Sequence, residues 1–189
     1  MTRNFILLCF ALISITLASC EPDYVKAGKR QIDSLDTQYQ QLQTSIKEFK
    51  YEEAMEKLET VEEHLEHFQA SNQDTLSRDE AMLLSNYHSV AEPLEKLKER
   101  YQYYQDELQT TRKQLDGLRH DLENKAFTDS LFQVYLSDER NALNRLQQEA
   151  SQAVEMAKKK MVVFDSLQPR ITRLAKSVNI EVENEKDEK

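Results

Sequence analysis

Few side chains in this sequence are well equipped for chemistry. Of its two cysteines, Cys9 lies inside an apolar N-terminal run and Cys20 closes it, where a thiol can form a thioether or stay free as a nucleophile. His64 and His67 stand one helical turn apart, a spacing at which two imidazoles could share a metal. The apolar stripe through Leu58, Val61, Leu65 and Phe68 leaves His64 on its flank and turns His67 to water. No histidine has a glutamate three residues before it and no HExxH occurs, so a metal centre is not expected. Tyr101, Tyr103 and Tyr104 could stack on a ligand, but Tyr101 and Tyr104 fall on an apolar stripe and read as packing. Lys158, Lys159 and Lys160 could attract an anion, yet among neighbouring glutamates they read as local counter-charge. Glycine-rich phosphate loops, GxSxG and paired acids in a pocket-forming context are missing. With two glycines in the chain, sharp catalytic turns are hard to build, so neither catalysis nor a cofactor is expected.

The run that ends at Leu17-Ala18-Ser19-Cys20 starts at Phe5 and follows the basic start Met1-Thr2-Arg3-Asn4. It is shorter than the about 20 helical residues that cross a bilayer core of roughly 30 Å, and has the length of a secretory h-region. The tetrad resembles the lipobox of bacterial lipoproteins. That resemblance implies that residues 1–19 are a signal peptide, that the chain is cut before Cys20, and that Cys20 carries diacylglycerol and an acylated amino end. Two or more acyl chains hold stably where one binds marginally. It further implies a lipid-anchored protein of the bacterial cell envelope, at the outer membrane. The other reading of the same residues is an ordinary signal peptide cut near Ala18 that leaves a free thiol.

Four triplets repeat a second pattern, an aspartate, then Ser or Thr, then leucine: Asp33-Ser34-Leu35, Asp74-Thr75-Leu76, Asp129-Ser130-Leu131 and Asp165-Ser166-Leu167. They resemble the acceptor triplet for O-glycosylation of exported proteins in Bacteroidota, which makes Ser34, Thr75, Ser130 and Ser166 candidate acceptors. Asp-Ser and Asp-Thr pairs also start helices, which accounts for at least two of them.

Cutting before Cys20 removes Arg3 and no acid, so 25 basic residues become 24 against 34 acidic ones, a net charge of -10. This excludes nucleic acid as a partner and electrostatic docking to anionic lipid, and leaves the membrane contact to the acyl group on Cys20. With Cys9 gone and Cys20 consumed, no disulfide or thiolate metal site remains. Three prolines, no tryptophan and abundant Glu, Gln, Lys and Leu make a helical composition.

These residues must be positioned by helices. Residues 20–28, containing Pro22 and Gly28, read as a short lipid tether. Over 29–70, Ile32, Leu35, Tyr39, Leu42, Ile46 and Phe49 form one stripe, which resumes one residue out of register at Ala54, Leu58, Val61, Leu65 and Phe68. Either one kinked helix or a turn at Phe49-Lys50-Tyr51 explains the slip. Phe49 to Leu58 resembles the start of the second helix of a tetratricopeptide repeat, without that family's small residues or its 34-residue period. Residues 70–76 read as a loop. Ser77 and Glu80 read as a capping box with Leu76 and Ala81 as a staple, opening a long helix expected to kink at Pro93. Its stripe is Leu84, Tyr87, Ala91, Leu94, then Leu97, Tyr101, Tyr104, Leu108, Thr111, Leu115, Leu118 and Leu122, with Gly117 off it. After a turn near Asn124-Lys125-Ala126, capped by Thr128, an unbroken heptad is counted. One seam set is Leu136, Leu143, Ala150, Ala157, Phe164, Ile171 and Val178; the other is Phe132, Glu139, Leu146, Ala153, Lys160, Leu167 and Leu174. Pro169 falls on the outer face, and 179–189 reads as a disordered acidic tail.

The expected fold is therefore all-α, an elongated helical bundle built on a long antiparallel coiled-coil hairpin over 77–178, with residue i near residue 251 minus i. Each arm is about 70 Å long at 1.5 Å per residue. That register puts Tyr101 by Ala150, Tyr104 by Leu146, Glu139 by Arg112, and Lys160 near Glu92 and Glu95. The expected role is structural or protein-interaction, with a protein partner or self-association. The alternative is a tetratricopeptide-like or chaperone-like module that binds peptides or clients in a groove of residues 29–94.

Overall fold

The computed structural model describes residues 21–70 and 76–187, with side chains to residue 177. Among them are five helices and no strand: α1 Asp23–Lys47, α2 Tyr51–Ala70, α3 Arg78–His88, α4 Ala91–Glu123 and α5 Asp129–Asp187. The chain is an all-α bundle of three rods, the first made of α1 and α2, the second of α3 and α4, the third of α5. The residues that pair with α4 fall along the first rod in reverse order, Asp33 with Arg119, Asp36 with Arg112 and Ile46 with Tyr101, so the two run antiparallel. Gln31 with Gln133 and Lys57 with Asp165 rise together, so the first rod is parallel to α5. At 1.5 Å per residue α4 alone is about 50 Å long and α5 about 88 Å.

The hairpin of the second and third rods forms close to the predicted register. Tyr87 stacks on Phe164, Arg100 pairs with Glu149 at 2.7 Å, and Lys160 donates to Ser89 Oγ at 3.0 Å. The turn between them ends α4 with Lys125 at φ 56°, its amide donating to Leu122 O and that of Ala126 to Asp121 O. These two bonds take up carbonyls that the helix end leaves free, at the cost of a left-handed lysine. Ser77 and Glu80 close the capping box in both directions, and Thr128 Oγ1 accepts from Leu131 N.

Several expectations are corrected. Residues 20–28 are not a free tether: α1 starts at Asp23, the Pro22 carbonyl accepts from Val25 and Lys26, and Val25 and Gly28 are already buried. Proline suits this place because a helix start needs no donor from it. The slip near residue 49 is a break and not a hairpin, since α1 and α2 follow one another along the same rod. The break brings two stripes that are one residue out of register onto the same pair of helices. Tyr101 fills it, stacked on Tyr51 at 4.0 Å and donating at 3.3 Å to the Ile46 carbonyl, which also accepts from Phe49 N–H, so its ring faces the first rod. At Pro93 the long helix is interrupted: it stops at His88 and restarts at Ala91, with Ser89 and Val90 still right-handed, which puts the proline in a first turn where its missing N–H costs nothing. The core takes Leu83 there, and Leu84 is only half-buried.

Along α5 the first seam set is buried from Leu136 to Ile171, while the Val178 side chain lies outside the described residues. The second set slips. Val154 and Met161 are buried in place of Ala153 and Lys160, because the seam steps by four twice, Leu146 to Ala150 to Val154. Such a stutter unwinds a heptad locally. It falls at the layer where the first rod breaks and leaves Lys160 at the edge, close enough to Glu92 to help hold that carboxyl below the ordinary range, after Lys96. Pro169 is exposed, and α5 runs through it to Asp187, past the point where a disordered tail was expected. No glycine or further proline follows, and a nucleated helix extends one bond per residue.

Glu139 does not meet Arg112. The guanidinium is held by Asp36 of the first rod at 2.6 Å and by Asp116 one turn along α4, two carboxylates already in reach. Glu139 Oε2 is buried without a hydrogen-bond partner, and burial, helped by Asp138, raises its pKa. A raised pKa in the fold means that stability is full when the carboxyl is protonated and is lost as pH rises from about 4.3 through the folded value. Glu139→Gln should therefore stabilise the protein at pH 7 by about 1 kcal/mol, with the gain vanishing in melts below about pH 4. In double-mutant cycles Arg112 should be additive with Glu139 and should couple to Asp36 by about 0.5 kcal/mol.

Candidate functional site

The N-terminal end of α1 carries the first candidate. Cys20 lies outside the described residues, but its neighbour Glu21 is fixed: Lys29 bridges Glu21 at 2.7 Å and Glu123 at 3.3 Å. These carboxylates, Glu21 foremost, raise the Lys29 pKa against the opposing effect of burial. Gly28 lets α1 lie deep between the other rods here, for a Cβ on it would sit 2.7 Å from Leu122 Cδ2 and 2.9 Å from the Phe132 ring.

The same end holds apolar side chains that the sequence reading passed over. Leu131 is 41%, Val134 54% and Tyr135 42% exposed, and the half-buried Phe127 ring packs on Tyr135 at 5.1 Å. Their signal was present, since all three exposed residues lie off both seam sets of α5. Elsewhere among the described residues the large exposed apolar side chains are Met82, Tyr103, Met156 and Val162.

The histidines are not a pair on one ligand. His64 reaches Tyr87 Oη at 3.0 Å, and that hydroxyl donates to Gln168 Oε1 at 2.7 Å, so one buried phenol ties α2, α3 and α5 together. Burial lowers the His64 pKa and raises that of Tyr87, which matches an uncharged relay. His67 does not face water; it is half-buried with its ring 5.8 Å from Phe68. Among the described residues no group of three or more His, Cys, Asp or Glu could hold a metal.

Of the tyrosines, Tyr104 is buried, Tyr101 sits in the break, and Tyr103 is exposed under Arg100 at 4.6 Å. Arg100, Tyr104, Glu149 and Met156 line an open groove of about 670 Å³ between α4 and α5. It offers charged and apolar surface but no nucleophile with a base. Of the lysine run, Lys158 pairs with Glu155 one turn away and Lys160 donates to Ser89 Oγ across the hairpin. Ser34, Ser130 and Ser166 are all exposed on helices, Ser130 in the first turn of α5 and Ser166 bonded to Val163 O; Thr75 lies outside the described residues. No helix among the described residues is long and apolar enough to cross a membrane. In comparisons with protein-family models, curated proteins and solved structures, nothing matches this chain.

Proposed function

We propose that this is a lipid-anchored protein of the bacterial cell envelope whose rod-like bundle serves a structural or protein-interaction role. The observation that carries the reading is the Leu17-Ala18-Ser19-Cys20 tetrad standing three residues before a folded rod. An acyl anchor on Cys20 would hold that rod by its end, with no flexible spacer, and α5 would project about 88 Å of helix from it. The acidic surface leaves the lipid as the membrane contact and protein as the partner class, with the groove beside Arg100 and Tyr104 as the surface on offer. A peptide-binding module in residues 29–94 is the second reading. Against it, the stripe from Ile32 through Phe68 is largely buried against α4 and α5 and leaves little apolar surface for a client.

Cys20→Ala should abolish incorporation of radiolabelled palmitate and leave the precursor or an alternatively cut form. Equal labelling of variant and wild type would end the lipid-anchor reading.

A further inference from the structure

We propose that the turn end of the bundle is itself a membrane contact, in which Phe127, Leu131, Val134 and Tyr135 enter the headgroup region and upper acyl chains of the bilayer. The proposal rests on the lipid-anchor reading and adds a second point of attachment to it. Three of the seven large exposed apolar residues among those described fall within the first seven residues of α5, and the half-buried Phe127 joins them through Tyr135. All lie within about 10 Å of the helix start at 1.5 Å per residue, the depth to which interfacial apolar faces sink. The patch stops at Asp138, and the next large exposed apolar residue of α5 is Met156.

The place of the patch decides its occupant. Lys29 pins Glu21 to Glu123 at the end of α4, so Glu21, the residue that follows Cys20 in sequence, lies at the same end as the 124–128 turn. A bilayer holding acyl chains on Cys20 must then lie against this end, within reach of the first turns of α5. Tyrosine beside aliphatic residues suits that boundary, since the ring is apolar and the hydroxyl stays wet. The end carries both signs of charge, with Lys26, Lys29, Arg119 and Lys125 among Asp23, Asp121, Glu123 and Asp129, so the contact is made to neutral lipid. A second copy of the chain is the other possible occupant, but four partly exposed side chains fall well short of the about 800 Å² per partner that a stable dimer buries.

The chain has no tryptophan, so one can be added as a probe of depth. The lipidated protein carrying V134W, or V162W as the distant control at a site 68% exposed, is reconstituted in phosphatidylcholine vesicles with or without bromine on the acyl chains. Both variants should float with the vesicles. V134W fluorescence should be blue-shifted and quenched several-fold more by brominated lipid than that of V162W. Flotation with no quenching of V134W would keep the anchor and overturn the contact. A blue shift without quenching would assign the patch to a second copy and also overturn it. Failure of wild type to float would remove the anchor reading, and this proposal with it.

Discussion

Tyr87→Ala should cost about 3–5 kcal/mol of stability in urea denaturation, the range for deleting a fully buried aromatic side chain. Tyr87 is 0% exposed, stacks on Phe164 with centroids 5.8 Å apart, and bonds both His64 and Gln168 through one hydroxyl. It sits just before the break between α3 and α4, where helix continuity gives the second rod no support. Tyr87→Phe keeps the ring and strips the hydroxyl, leaving two part-buried groups without their partner, and should cost about 1–3 kcal/mol. Burial also lowers the His64 pKa, so the unfolded chain binds that proton more readily than the folded one. Wild-type stability should then fall as pH drops below about 6.5, the ordinary histidine value, and His64→Gln should flatten that fall. Equal melts for Tyr87→Phe and wild type would mean that the relay contributes nothing.

The two glycines should respond to alanine with opposite signs. Gly117 has nothing within 4 Å of a built Cβ, so Gly117→Ala gains helix propensity alone and should stabilise by about 0.5–1 kcal/mol. At Gly28 the same propensity gain meets a Cβ 2.7 Å from Leu122 and 2.9 Å from Phe132, both 0% exposed with no free space to swing into. Overpacking costs about 1–3 kcal/mol, so Gly28→Ala should be net destabilising by about 1 kcal/mol. Gly28→Val adds bulk and a β-branch and should cost about 3 kcal/mol or more. Should Gly28→Ala match Gly117→Ala in sign, α1 does not lie as close to the hairpin turn as described.

By itself the sequence determined the features that repeat along a helix or close within one turn of it. The stripe from Ile32 to Phe49 is buried as its three-and-four spacing requires, and Ser77 with Glu80 caps α3 because that motif needs only four consecutive residues. The turn at 124–126 and the pairing of Tyr87 with Phe164 followed from two long apolar patterns joined by a short link. The proposed lipidation of Cys20 rests on the same local kind of signal, a motif read without any fold. The tertiary structure alone decided where α1 and α2 lie, since an apolar stripe states that a face is buried but not against what. That choice moved Arg112 from Glu139 to Asp36, turned Tyr101 into the filler of a break, and made Gly28 a close-approach residue and not a tether. It also shifted the α5 seam at Val154, because a heptad counted on one pair of helices cannot register a third rod that breaks at the same layer. Side-chain partners of opposite charge are abundant in a chain with 25 basic and 34 acidic residues, and only the packing of three rods selects among them.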